Sequence, residues 1–229
     1  AYTVRAIEWR WPILVLCLVV AALASAGAAN LRFTADYKVY FGPKNPQLTT
    51  FTALENTYAS SDNLFFVIKP DHGDMFSAEN LESLKWLTEQ AWLIPYASRV
   101  DSITNFQHTE AEGDDLVVGD LLANAAVLLL EDVRRIEGVA LSEPALAGRL
   151  IAEDGQTAGV LVTLELPGDE HSTHLPEAVE AARALANQLE GRRPDMRVAL
   201  TGIGMLNDAL VEASERDVAT LFPVMFAII

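Results

Sequence analysis

Basic residues, cysteine and histidine are all scarce in this sequence. Its 229 residues carry 16 Lys and Arg against 32 Asp and Glu, a formal net charge of −16. That surplus of negative charge repels phosphate backbones and anionic lipid surfaces, so nucleic acid is not an expected partner. An acidic surface suits cationic or neutral ligands, yet it equally keeps a soluble domain apart from its neighbours, so charge alone names no substrate. The one cysteine, Cys17, lies inside an apolar run and has no second thiol to pair with. Folding therefore needs no oxidising compartment and excludes none, because a domain of this length is stable without covalent staples.

Signatures of catalysis are missing as well. No Gly-x-Ser-x-Gly elbow offers a nucleophile, and His72 and His108 stand alone. Gly202-Ile203-Gly204-Met205 carries no lysine, so ATP use is not indicated. His171 and His174, beside Asp169 and Glu170, have a spacing that could serve zinc, but the stretch Gly168 to Thr173 between Pro167 and Pro176 reads as a solvated loop. Glu110, Glu112, Asp114 and Asp115 could gather calcium, but they lack the alternating ligands and distal glutamate of an EF-hand. No catalytic residue, metal ligand or cofactor is assigned, and the chain is expected not to be an enzyme.

What is abundant is apolar sequence, 51% of residues, enough for a packed core. Trp11 to Ala29 form 19 consecutive uncharged positions, close to the roughly 20 a bilayer-crossing helix needs. Arg5 and Arg10 precede them, Trp9 and Trp11 suit an interfacial belt, and Pro12 fits a first helical turn. The competing reading is a cleavable signal peptide, with Ile13 to Leu23 as its apolar part and Ala24-Ser25-Ala26 as its cleavage site. At the other end, Val218 to Ile229 is uncharged for 12 residues and reads as the start of a second span, cut short. Basic residues flank the first run on both sides, so their count sets no orientation.

Between these ends, Phe41 to Pro46 is rich in turn formers. Leu64 to Ile68 reads as a strand, and Ser77 caps a helix whose Leu81, Leu84, Leu87 and Ala91 recur at helical spacing down to Trp92. Arg99 to Phe106 reads as a second strand, Asp120 caps a helical stretch through Arg135, and Ser142 with Pro144 opens a short helix ending near Leu150. A hairpin around Asp154-Gly155 leads into the strand Gly159 to Glu165. A helix from His174 to Glu190 follows, with Leu175, Ala178, Val179, Ala182, Leu185, Ala186 and Leu189 in one stripe, and then a strand from Arg197 to Thr201. Two strand-helix-strand units in succession predict an α+β fold of ferredoxin-like, split βαβ type. Phe65, Phe66, Trp86, Trp92 and Phe106 could line a hydrophobic path, although such spacings more often mark core.

This organisation resembles the first extracytoplasmic loop of RND (resistance-nodulation-division) superfamily exporters, particularly the lipid-exporting branch with MMPL-like and hopanoid transporters. The matching pieces are Asp36 to Pro46, Leu54-Glu55, Leu64 to Ile68, Glu153-Asp154-Gly155, and Thr201-Gly202 with Asp208. The segment Tyr96 to Phe106 is the most specific of them. The resemblance implies a transmembrane helix over residues 1–29, a periplasmic porter domain over 30–217, and the start of a second span over 218–229. It implies an inner-membrane transporter that binds and exports hydrophobic or amphiphilic molecules such as sterols or hopanoids. Its implied partners are the bilayer, a second porter half, and a further copy of the chain or a periplasmic adaptor. Energy-coupling carboxylates would lie outside this sequence, and the residues lining a substrate path are not legible. The alternative is a membrane-anchored ligand-binding or sensor module.

Overall fold

The computed structural model describes residues 9–27, 41–42, 44–58, 62–112, 115–123, 128–167 and 171–228. The chain divides into two units, Ala1–Thr34 and Ala35–Ile229. The first contains helix α1 (Arg10–Gly27). Its side chains Ile13, Leu14, Leu16, Val19 and Leu23 are all exposed, so the helix buries none of its described apolar faces.

The second unit runs α2 (Pro46–Tyr58), β1 (Asn63–Pro70), α3 (Ala78–Ala91), β2 (Ala97–Asp101), β3 (Gln107–Glu112), β4 (Asp115–Asp120), α4 (Leu130–Ser142), β5 (Ala158–Leu164), α5 (His171–Arg192), β6 (Met196–Thr201) and α6 (Ile203–Ile228). Four strands form one sheet in the order β2-β5-β1-β6 with every neighbouring pair antiparallel, and β3 and β4 form a separate two-stranded ribbon. The architecture is α+β, as the succession of elements predicts. Alternation along β1 sends Leu64, Phe66 and Ile68 to one face, where they are buried with Val160, Val162 and Leu164 of β5. Onto that face pack α3 and α5, whose predicted stripes are buried throughout, from Leu81 to Ala91 and from Leu175 to Leu189. Ser77 caps α3 as expected, its side chain accepting from the Asn80 N–H at 3.2 Å.

Several expectations are corrected. The strand expected over Arg99 to Phe106 ends at Asp101. Side chains just beyond it take over the backbone: the Ser102 N–H donates to Asn105 Oδ1 (2.8 Å), and Asn105 Nδ2 donates to the Val100 carbonyl (2.7 Å). Asp120 caps no helix. It closes β4, accepting from the Gln107 amide, and α4 starts only at Leu130, with Glu131 and Asp132 in its favoured first turn. The short helix expected after Ser142 is a run of turns, broken where Gly148 takes a φ of 72° and donates to the Ile151 carbonyl. The turn at Asp154-Gly155 is present but wider than two residues, closed by the Ala152 N–H on the Thr157 carbonyl.

The helix expected from His174 starts at His171, where a loop was expected. The Tyr96 hydroxyl, 2.8 Å from His174 Nδ1 and donating to Glu177 Oε2 at 2.9 Å, holds its opening turns. Among the described residues no helix is long and apolar enough to cross a membrane. Of the span expected over Trp11 to Ala29, Trp11 to Gly27 lie in α1 with Arg10 in its first turn, and Ala28 and Ala29 lie outside the described residues. Val218 to Ile228 belong to α6, which carries Asp208, Glu212, Glu215, Arg216 and Asp217 before its apolar end, and Ile229 lies outside the described residues.

Candidate binding groove

The sheet has a second face, and its alternation determines what lies there. Phe65 and Val67 of β1 point away from the helices, and Phe65 is the cross-strand partner of Leu161 on β5. Gly159, opposite Val67, carries no side chain, and the Phe65 ring occupies the space a Cβ would take. Phe65 and Leu161 thereby form the apolar floor of a cavity of about 500 Å³. A volume of that order lies in the range typical of small-molecule sites. A smaller cavity of about 200 Å³ shares Phe65, Arg149 and Leu150 with it.

One wall is the segment that follows β2. Ser102, Asn105, Phe106 and Gln107 line the cavity together with Arg99 and Asp101. Beneath them is a buried hydroxyl cluster, in which Thr88 Oγ1 of α3 donates to the Leu84 carbonyl (2.8 Å) and lies 2.9 Å from Ser102 Oγ, itself 2.7 Å from Thr104 Oγ1. Each hydroxyl is satisfied by its neighbours, so the polar turn can be buried against α3 without leaving an orphan group. The other wall is Ala145, Leu146, Arg149 and Leu150, laid there by the turns around Gly148. Leu146 is fully buried and anchors them.

Charge enters at the rim. Arg99 Nε donates to Asp101 at 2.9 Å, and this bond raises the Arg99 pKa above its ordinary value. Arg149 is exposed and pairs with no carboxylate among the described residues. A third cavity, about 420 Å³, lies on the helix side between Glu79, Trp86 and Arg193, but its two arginines are already engaged. Arg193 bonds Asp195, Asn80 and Ser83, and Arg192 stacks over Trp86 at 4.5 Å.

Compared with known protein families, residues 53–229 match the model of the MMPL family. The match covers well over half of the sequence. The chain belongs to the MMPL family. It is accordingly part of an RND-type transporter. A search among curated proteins finds no match.

In this MMPL chain the segment that carries the most specific resemblance, Tyr96 to Phe106, is the same one that supplies a wall of the groove. Of the five aromatic candidates, Phe65 and Phe106 line the groove, Phe66 is core, Trp86 lies under Arg192, and Trp92 is exposed. Of the histidine pair, His174 is engaged by Tyr96, while the side chain of His171, with Asp169 and Glu170, lies outside the described residues. In the acidic set, Glu110 pairs with Arg135 across from β3, Asp115 opens β4, and Asp114 lies outside the described residues. Among the described residues no group of three or more His, Cys, Asp or Glu is placed to hold a metal ion. Sequence reasoning missed Leu161, Arg149 and Leu150. Strand alternation could have flagged Leu161, but nothing local marks the other two.

Proposed function

We propose that the chain forms the first extracytoplasmic part of an inner-membrane RND-type exporter and binds its hydrophobic or amphiphilic substrates noncovalently, without turnover. In this reading residues 1–29 associate with the bilayer, 30–217 form a periplasmic porter domain of ferredoxin-like, split βαβ type, and 218–229 lead toward a second span. Strand order β2-β5-β1-β6, with α3 and α5 on one face, supports the split βαβ reading. Lipids of the sterol and hopanoid class are the substrates in view, and a second porter half would close over the open face.

The observation that carries the proposal is the groove itself: an apolar floor of Phe65 and Leu161 edged by a few polar groups is what a greasy molecule with one polar end requires. Buried apolar surface contributes about 25 cal/mol per Å², so the floor is where affinity would arise. The test is equilibrium binding of a fluorescent sterol and a hopanoid to the purified chain, with and without chelator, beside Leu161→Gln. Binding weakened by Leu161→Gln and indifferent to chelator is expected. Affinity unchanged by the substitution, or chelator-sensitive hydrolysis of esters or phosphates, would overturn the reading.

A further inference from the structure

We infer that the groove selects amphiphiles by head-group charge and favours a single-chain anionic amphiphile, its tail against Phe65 and Leu161 and its head at the Arg149 guanidinium. This rests on the groove being the binding site. The chain has twice as many carboxylates as cations, and six of the ten arginines among the described residues are matched: Arg99 with Asp101, Arg135 with Glu110, Arg183 with Asp208, Arg193 with Asp195, Arg197 with Asp71 and Arg216 with Glu212. Arg149 departs from that pattern, and it does so at the edge of the cavity. Asp101 engages Arg99 through Nε, and both residues line the same cavity as Arg149. Two guanidiniums against one carboxylate leave the rim locally cationic.

Local and global charge therefore make opposite demands. A net charge of −16 draws cations and repels anions, whereas the rim does the reverse. Contact wins, because exposed charges are screened beyond about 10 Å at 0.1 M salt, while a guanidinium meets a carboxylate, sulfate or phosphate head through two parallel hydrogen bonds. Apolar contact supplies most of the affinity and Arg149 supplies the choice of head.

The experiment compares amphiphiles that share one tail: dodecanoate, dodecyl sulfate, dodecanol and dodecyltrimethylammonium, each below its micelle-forming concentration, with inorganic phosphate as a tail-free arm. Each is titrated calorimetrically into the full chain and into Arg149→Gln, Arg149→Lys and Arg134→Gln. Arg134 is exposed on α4 and does not line the cavity, so its loss changes net charge equally without touching the groove. Any binding of tails to α1 is common to all variants and cancels in their ratios. Expected are tighter binding of both anions than of the cation, no measurable heat from inorganic phosphate, and roughly tenfold weaker dodecanoate binding in Arg149→Gln, about the loss of one charge-assisted hydrogen bond. Dodecanol should bind that variant as it binds the parent, Arg149→Lys should fall between, and Arg134→Gln should match the parent. Equal affinity for anion and cation, or equal effects of Arg149→Gln and Arg134→Gln, overturns the inference and leaves groove binding standing. Failure of every amphiphile to bind overturns both.

Discussion

A Cβ on Gly159 would lie 2.2 Å from Cζ of Phe65, a separation no real pair of atoms tolerates. The end of the Phe65 ring therefore reaches over β5 only because position 159 has no side chain, and the floor of the groove depends on that. In Gly159→Ala the ring must lift into the cavity. The expected cost is about 1–3 kcal/mol, as for other overpacked sites. Phe65→Leu on the same background should recover part of it, so the double variant is less destabilised than the two single losses added together. Urea denaturation of the four proteins checks this, and strict additivity would show that the ring does not rest on Gly159.

The hydroxyl cluster under the other wall makes a separate claim. Thr88→Val keeps the shape of the side chain but removes the oxygen that bonds Leu84 and lies within hydrogen-bond distance of Ser102 and Thr104, all of it buried. Valine leaves those partners short of a bond, at a cost of about 1–2 kcal/mol. Because the cluster holds the turn that presents Asn105 and Phe106, amphiphile binding should weaken along with stability. A stability loss with unchanged binding would mean the wall holds its shape without the cluster.

Asp195 gives a pH dependence whose sign is fixed. Its carboxylate accepts from Arg193 Nε (2.9 Å) and Nη2 (2.7 Å), and this pairing holds its pKa down to about 2 from an ordinary 3.8. A carboxyl depressed on folding stabilises the native state wherever it is ionised in both states, and that contribution disappears as pH falls through the folded value. Wild type and Asp195→Asn should therefore differ in thermal midpoint above pH 3.8 and converge as pH approaches about 2. Parallel curves throughout would show that Arg193 does not lower the Asp195 carboxyl.

Much of the framework was legible because burial and periodicity coincide in it. Leu64, Phe66 and Ile68, the stripe from Leu81 to Ala91 and the stripe from Leu175 to Leu189 are all core, and their spacing says so directly. The β3–β4 ribbon was not legible. Leu116 and Val118 are 74% and 61% exposed, and charged residues flank them, so no alternation between inside and outside marks a strand. Asp120 carries a helix-capping side chain but is held in β4 by pairing with Gln107, which local propensity cannot anticipate. The groove was half legible. Alternation divides Phe65 from Phe66, but which face stays open depends on where the residues after α4 travel. That path is set by the left-handed turn at Gly148 and the docking of Leu146.

The last prediction concerns α1, whose exposed Ile13, Leu14, Leu16, Val19 and Leu23 have no protein cover among the described residues. Such a surface gains by leaving water, at roughly 25 cal/mol per Å². A hydrophobic segment that does not match the thickness of the hydrocarbon core is accommodated by local thinning or tilt at modest cost. The chain should therefore float with neutral phosphatidylcholine vesicles, where its net charge of −16 meets no opposing surface charge. Leu16 and Val19 lie near the middle of the helix, and an arginine at such a depth costs about 2.5–3.5 kcal/mol. Leu16→Arg with Val19→Arg should leave the chain at the bottom of the gradient, while its far-ultraviolet circular dichroism spectrum stays that of the parent. Flotation of the double variant would show that α1 does not carry the association and that the apolar end of α6, with Leu221, Val224 and Ile228 exposed, does so instead.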